Sequence, residues 1–210
     1  MDNLRHPVLR DIERLSKPSD EEGCVTDFLS NFSISNSNKG TIPFVPHIQQ
    51  TRMLNWMHSH QNCAFIHRRQ IGTSSIILGR LIYEMLLNPN QHIALLAGSN
   101  AQAQHNMNIL NGILLSNKSL VGGIVRDTRT ELVLNNGSVI RSCSSVKSLR
   151  GKLLTHVFHD NFLHDTRRWQ KFDYYSGLLS RTNGRITIAS TSYIGLNEID
   201  DCKKLRQLRL

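Results

Sequence analysis

Apolar positions along the chain fall into two kinds of pattern that alternate. Short apolar runs bounded by turn residues occur at 64–66, at 92–97 (closed by Gly98), around Val157 and Phe158, and at 186–189. Runs of that length and without a helical period read as strands buried on both faces. Between them, apolar residues recur at the three- and four-residue spacing of one helix face. Ile48, Met53, Leu54 and Trp56 do so over 48–57. Ile76, Ile77, Leu81, Ile82, Met85 and Leu86 do so over 74–87, where Pro89 and Asn90 stop the helix. Further helices are expected over 101–115 and 169–179. Glu131 to Leu134, then Asn135-Asn136-Gly137, then Ser138 to Ile140 predict a hairpin, because Asn-Gly suits the positive φ angles of a tight turn. Strands alternating with helices predict an α/β protein whose central sheet is mainly parallel and covered on both faces, a three-layer fold.

The ends read differently. Residues 1–45 are expected to form an N-terminal appendage and linker: a short amphipathic helix over 2–15, a turn and helix start at 18–23, and a Ser- and Asn-rich linker over 30–40. The core is expected over 46–201, followed by a basic tail at 202–210 with helical spacing. The sequence holds no internal repeat.

Composition narrows the class. Hydrophobic residues make up 39% of the 210, enough to bury a core, and charged residues 20%, too few for a disordered polyelectrolyte. Cys24, Cys63, Cys143 and Cys202 are scattered without a CxxC pair, which argues against a zinc ribbon or disulfide scaffold and fits a reducing compartment. Met1 to Asp11 carries charges rather than an apolar run, and no apolar stretch is long enough to span a membrane. Neither a signal peptide nor a membrane partner is expected. The net charge of +9 favours a polyanionic partner, nucleic acid first.

Two segments carry chemistry. Arg68-Arg69-Gln70-Ile71-Gly72-Thr73-Ser74-Ser75 joins the first strand to its helix. Backbone N–H groups and the helix dipole make such a junction an anion site. A Walker A loop would add a Lys after this glycine and then a Ser or Thr for the metal; here Thr73 follows Gly72 and Ser74 comes next. His156-Val157-Phe158-His159-Asp160-Asn161 is a strand ending in an acid, as a Walker B strand does, where the acid holds Mg²⁺ through water and a second acid acts on the attacking water. Asp160 supplies the first; Asn161 stands in the second place and cannot take a proton. His156, His159, His164 and Asp165 suggest zinc by residue type. However, His156 and His159 are three apart on a strand and point to opposite faces, so no zinc is expected.

These residues, in this order, resemble the large terminase subunits of large tailed phages, from about residue 50 to residue 201. Gln50-Thr51-Arg52-Met53-Leu54 looks like the family's adenine-recognition element. Residues 68–75 match its R-Q-x-G-K-T-T loop, with Thr73 in the Lys position, and Arg69 matches an Arg thought to act as an arginine finger in cis. Leu132 to Ser138 resembles its hydrophobic-Asn-Gly-Ser hairpin, and Leu149-Arg150-Gly151 the step before Walker B. Ser190-Thr191-Ser192, then Gly195-Leu196-Asn197, resembles its coupling motif. The resemblance implies a P-loop NTPase-like fold, with Gln50, Arg68, Gln70, Gly72, Thr73, Ser74 and Ser75 binding nucleotide. It implies Arg69, Asp160 and Asn161 in catalytic positions, Ser74 and Asp160 on Mg²⁺ through water, and ATP as the other cofactor. It further implies double-stranded DNA, the portal and the small terminase subunit as partners, and a place in the host cytoplasm at the procapsid portal vertex. The family's second ATPase subdomain and its nuclease domain have no counterpart in these 210 residues.

The departures at Thr73 and Asn161 define the functional alternatives. A Lys ammonium about 4 Å from phosphate is worth roughly 4 kcal/mol at an effective dielectric near 20, and a general base about 10² to 10⁴ in rate. The reading is therefore a terminase-like packaging ATPase core impaired in hydrolysis. A pseudo-ATPase that binds DNA or portal without turnover is the alternative, and an unrelated basic nucleic-acid-binding α/β domain the third. The charge balance generates one direct test. Binding of the chain to duplex DNA of any sequence is expected to weaken linearly on a plot of log affinity against log salt. Affinity that does not change with salt, or no binding at low salt, removes DNA as a direct partner.

Overall fold

The computed structural model describes residues 21–36, 40–117, 123–191 and 196–207. A helix α1 (Glu21–Ser30) leads into a two-stranded antiparallel hairpin, β1 (Ser33–Asn36) and β2 (Gly40–Pro43). Then follow α2 (Ile48–Ser59), β3 (Asn62–His67), α3 (Thr73–Leu87), β4 (His92–Leu96) and α4 (Asn100–Ser116). The strands β5 (Ile124–Asp127), β6 (Glu131–Leu134), β7 (Val139–Cys143) and β8 (His156–Asp160) come next, then α5 (Arg168–Leu179), β9 (Arg185–Thr191) and α6 (Leu196–Gln207). Short 3₁₀ turns at Val146–Leu149 and Phe162–His164 precede and follow β8.

Seven strands form one sheet in the order β3-β9-β8-β4-β7-β6-β5. The pairs from β3 to β7 are parallel, and β6 and β5 add antiparallel at the far edge. All four strands expected from apolar runs lie side by side, and they alternate their side chains between two cores. Ile93, Leu95, Phe158 and Ala189 face α1 to α4, whereas Ala94, Leu96, Val157, Ile186 and Ile188 face α5 and α6. This is the three-layer α/β architecture with a mainly parallel central sheet that the apolar pattern led us to expect.

Three local readings change. The segment expected as a linker pairs as β1 and β2, with Ile34 opposite Ile42. Each strand carries a single apolar residue, too few for a period. Phe32 and Phe44 close the hairpin, both buried, and Phe44 N donates to Phe32 O at 2.9 Å. Asn135 to Ser138 does connect β6 and β7, but only Gly137 has positive φ (82°); Asn136 does not. Gly137 N donates to Leu134 O and Leu134 N to Ser138 O, so one glycine suffices where two positive-φ residues were expected. The basic tail is the second half of α6 through Gln207 and is docked. Asp201 receives Arg168 Nη2 at 2.5 Å and Trp169 Nε1 at 2.7 Å, and the Lys204 ammonium sits 4.1 Å from the Trp169 ring centre. The helix expected over 2–15 and residues 208–210 lie outside the described residues.

A buried ionic cluster ties α3 to β8 and β9. Glu84 accepts from Arg80 Nε at 3.1 Å and Arg185 Nη1 at 3.2 Å, and lies 3.1 Å from His156 Nδ1. Burial pushes the Glu84 carboxyl up, but His156, Arg80 and Arg185 together outweigh it and bring it down to about 2. A lowered carboxyl stabilises the fold above its unfolded value and loses that contribution as pH falls through its folded value. Between pH 4.5 and about 2 this group is expected to withdraw up to about 3 kcal/mol. Urea unfolding of Glu84→Gln beside the parent should show a gap that narrows over this window. A gap constant with pH would mean the carboxylate contributes no charge-dependent stability.

Candidate functional site

The carboxyl ends of β3, β9, β8 and β4 converge on one cavity of about 550 Å³, lined by Arg69, Gly98, Ser99, Gln102, Asn161, His164, Asp165, Thr166 and Thr191. Open parallel sheets bind ligands at this edge, because strand-to-helix loops and helix N-termini gather there. The two sequence segments singled out for chemistry meet here. His67 at the end of β3 pairs with Thr191, and Asp160 at the end of β8 pairs with Ala189, so β9 alone separates them.

The loop after β3 turns through positive φ at Gln70 (65°) and Gly72 (71°). Gly72 caps α3 without a side-chain hydrogen bond, so the first-turn N–H groups of α3 have no cap to satisfy them. Gln50 holds this loop from below. Its amide nitrogen donates to Ile71 O at 3.1 Å and Gly72 O at 3.4 Å, and its carbonyl oxygen accepts from His47 N at 3.1 Å. The backbone angle favours glycine at position 72, where a Cβ would also sit 2.5 Å from that amide nitrogen and displace the Gln50 side chain. The residue that the resemblance assigns to the base thus spends its amide on loop carbonyls. Arg68 points elsewhere, lining a separate, more apolar cavity with Met53, Phe65 and Ile71. Thr73 is 3% exposed, and its hydroxyl is buried with no hydrogen-bond partner. Ser75 is half-buried in the first turn.

Ser74 and Asp160 meet. Ser74 Oγ donates to Asp160 Oδ1 at 3.3 Å, while Asp160 Oδ2 accepts from Gln102 Nε2 and Asn106 Nδ2, each at 3.1 Å. A hydroxyl and a carboxylate oxygen are the hard donors that Mg²⁺ takes, with phosphate oxygens and water completing its shell. The residues present therefore fit that ion. Asn161 lines the cavity in the left-handed region, φ 52° and ψ 40°, a conformation Asn tolerates better than most residues.

In the cavity wall lies a second carboxylate. Asp165 bonds to Lys171 Nζ, lies 3.3 Å from His159 Nε2, and accepts from Arg167 N at 2.9 Å. Burial works to raise its carboxyl, but His159, Lys171 and the Arg167 N–H hold it well below the usual carboxylate range. Burial lowers His159, with Asp165 opposing, and its other nitrogen faces Tyr175 OH at 3.4 Å. His156 faces Glu84 and Thr187 on the opposite side of the sheet, so the strand period separates the two imidazoles. Among the described residues no group of three or more His, Cys, Asp and Glu side chains is arranged to hold a metal ion. At the end of β9, Ser190 Oγ accepts from Leu163 N at 3.1 Å, and Thr191 Oγ1 lies 3.1 Å from His164 Nε2. The segment resembling a coupling motif thus touches the turn that follows Asp160; Ser192 and Gly195 lie outside the described residues.

Gln102, Asn106 and Lys171 escaped the sequence reading, and Asp165 entered it only among the zinc candidates that were set aside. The only sequence signal was Ser99, whose hydroxyl accepts from Gln102 N at 3.2 Å and so starts α4 at the cavity rim.

No protein-family model matches the sequence, and no curated protein resembles it in sequence. In structure the chain is similar to the ATPase domain of the Thermus phage P74-26 large terminase, with TM-score 0.60 and 19% identity over 71% of this chain and 66% of that one. It is similar to the HK97 bacteriophage large terminase, with TM-score 0.69 and 17% identity over 88% of this chain but 42% of that one. A third likeness, TM-score 0.52 and 13% identity over 68% of this chain and 38% of that one, is to the large terminase of a thermophilic bacteriophage in complex with ADP. The chain therefore has the fold of large-terminase ATPase domains and spans well under half the length of the HK97 and ADP-bound proteins.

The orphaned Thr73 hydroxyl generates a stability test. A buried hydroxyl without a partner carries a desolvation penalty of about 1–3 kcal/mol, which an apolar group of similar shape does not. Thr73→Val is expected to leave stability unchanged or raise it by about 1 kcal/mol in urea unfolding. A loss of that size or more would mean the hydroxyl is satisfied in the folded protein.

Proposed function

We propose that this chain is the ATP-binding core of a viral DNA-packaging motor of the large-terminase type, impaired in hydrolysis. The observation that carries this reading is the approach of Ser74 Oγ to Asp160 Oδ1 at 3.3 Å, beneath an uncapped helix N-terminus at the carboxyl edge of a parallel sheet. That arrangement suits a nucleoside triphosphate with a divalent cation. First-turn N–H groups of α3 bind phosphate oxygens, and Ser74 and Asp160 hold Mg²⁺. When bound, the cation neutralises charge on the phosphate oxygens. Arg69, on the cavity wall, adds a guanidinium. Gln50 fixes the loop's shape, and Ser190 and Thr191 pass changes at the Asp160 turn to α6 and beyond.

The same residues argue for slow chemistry. Thr73 brings no positive charge to phosphate oxygens. Asn161 orients a water but cannot accept its proton, and Asp165, though at the cavity wall, is neutralised by Lys171 and too weak a base to replace an acid there. These features equally favour a pseudo-ATPase that keeps the fold to bind DNA or portal without turnover. Duplex DNA, the portal and the small terminase subunit are the partners this reading implies, in the host cytoplasm at the portal vertex. No described helix is long and apolar enough to cross a membrane.

Turnover by the purified chain with Mg²⁺ and DNA is expected at background, and Thr73→Lys with Asn161→Glu is expected to raise it. The second change works against the left-handed backbone at 161, at a cost of about 1 kcal/mol, so Thr73→Lys alone should first appear as tighter ATP binding. Robust hydrolysis by the unmodified chain would overturn the impaired-motor reading.

A further inference from the structure

Among the described residues three carboxylates are buried around the sheet, and they are treated in two ways. Glu84 is surrounded by Arg80, Arg185 and His156, and Asp165 by Lys171 and His159. Asp160, 3% exposed, forms no ion pair among the described residues; its polar contacts are Ser74, Gln102 and Asn106, all neutral. A buried carboxylate left without a cation is costly. Amide donors lower that cost by hydrogen bonding without cancelling the charge, whereas a Lys or Arg would cancel it.

The amides also divide the carboxylate. Oδ2 takes both of them at 3.1 Å, and Oδ1 has only the longer bond from Ser74. Asn106 is fully buried on the face of α4 that otherwise carries Ala103, Met107 and Leu110. Packing alone would put an apolar residue there. Its own carbonyl oxygen accepts from Gln102 Nε2 at 3.3 Å, so the two amides brace each other. Gln102 is half-buried at the cavity rim.

We propose that Gln102 and Asn106 are positioning residues that hold Asp160 by Oδ2, so that the less engaged Oδ1 faces Ser74 and the divalent cation of the nucleotide. The inference rests on the nucleotide-site reading above and adds the residues that tune its metal affinity. Partners of this kind typically set 10–100-fold in metal affinity.

Calorimetric titration of the whole chain with ATP, once in Mg²⁺ and once in EDTA, tests it. In the parent, Mg²⁺ is expected to tighten ATP binding. In Gln102→Leu and Asn106→Leu that gain should shrink by about tenfold or more, with much smaller change in EDTA. A role in folding alone would weaken both conditions together, and that result overturns the proposal, as does an undiminished Mg²⁺ gain in the variants. Asn106→Leu changes a fully buried site; should it fail to fold, Gln102→Leu at the rim still decides. Gln102→His, which keeps an N–H donor, should recover part of the gain. If the parent binds no ATP in either condition, the nucleotide-site reading fails and this inference with it. Binding with a Mg²⁺ gain that the variants keep defeats the inference alone.

Discussion

Parallel pairing of β9 with β3 on one side and β8 on the other is the interaction on which the candidate site depends. It sets the loop after β3 and the acid at the end of β8 one strand width to either side of Ala189 and Thr191. From that spacing follows the contact between Ser74, in the first turn of α3, and Asp160. Register in a parallel sheet is fixed by which side chains face each core, because a one-residue slip would turn every apolar residue to the wrong layer. Phe158 and Ala189 on one face, with Val157, Ile186 and Ile188 on the other, leave β8 and β9 no alternative.

The same alternation distributes the polar side chains of β8. His156 and Asp160 fall on the α3 and α4 side, His159 on the α5 side. Each meets a different electrostatic environment within one strand of five residues. Ion pairs lock Glu84, on α3, and Asp165, in the turn before α5. Neutral amides hold Asp160, beside the loop that follows β3. An amide-held and an ion-paired carboxylate thus lie only five residues apart along the chain, at Asp160 and Asp165.

The two departures from the terminase pattern have structural settings of their own. Thr73 lies under the loop with a buried hydroxyl and no partner, and Asn161 occupies a left-handed turn that favours Asn on backbone grounds. Gln50 likewise acts on backbone, bonding two loop carbonyls. Three positions that the resemblance reads as contacts to nucleotide or water therefore also shape the loops around the cavity.

Strand positions, helix extents and the α/β class were legible in the sequence because apolar period reflects burial directly, and the two loops because strand–loop–helix and strand-acid junctions have local signatures. The β1–β2 hairpin was not, since one apolar residue per strand carries no period; its pairing rests on Phe32 and Phe44 reaching the core. Nor was the docking of the basic tail, which Asp201, Arg168 and Trp169 hold across different helices. Most of all, Gln102 and Asn106 read as ordinary polar residues on an amphipathic helix. They reach Asp160 across 58 and 54 residues of chain. The sequence by itself determined the core strands and helices and where the loop after β3 and the acid at the end of β8 stand. Only the tertiary structure decided which side chains surround that acid, because hydrogen bonds between distant elements depend on how the layers pack and leave no periodic trace along the chain.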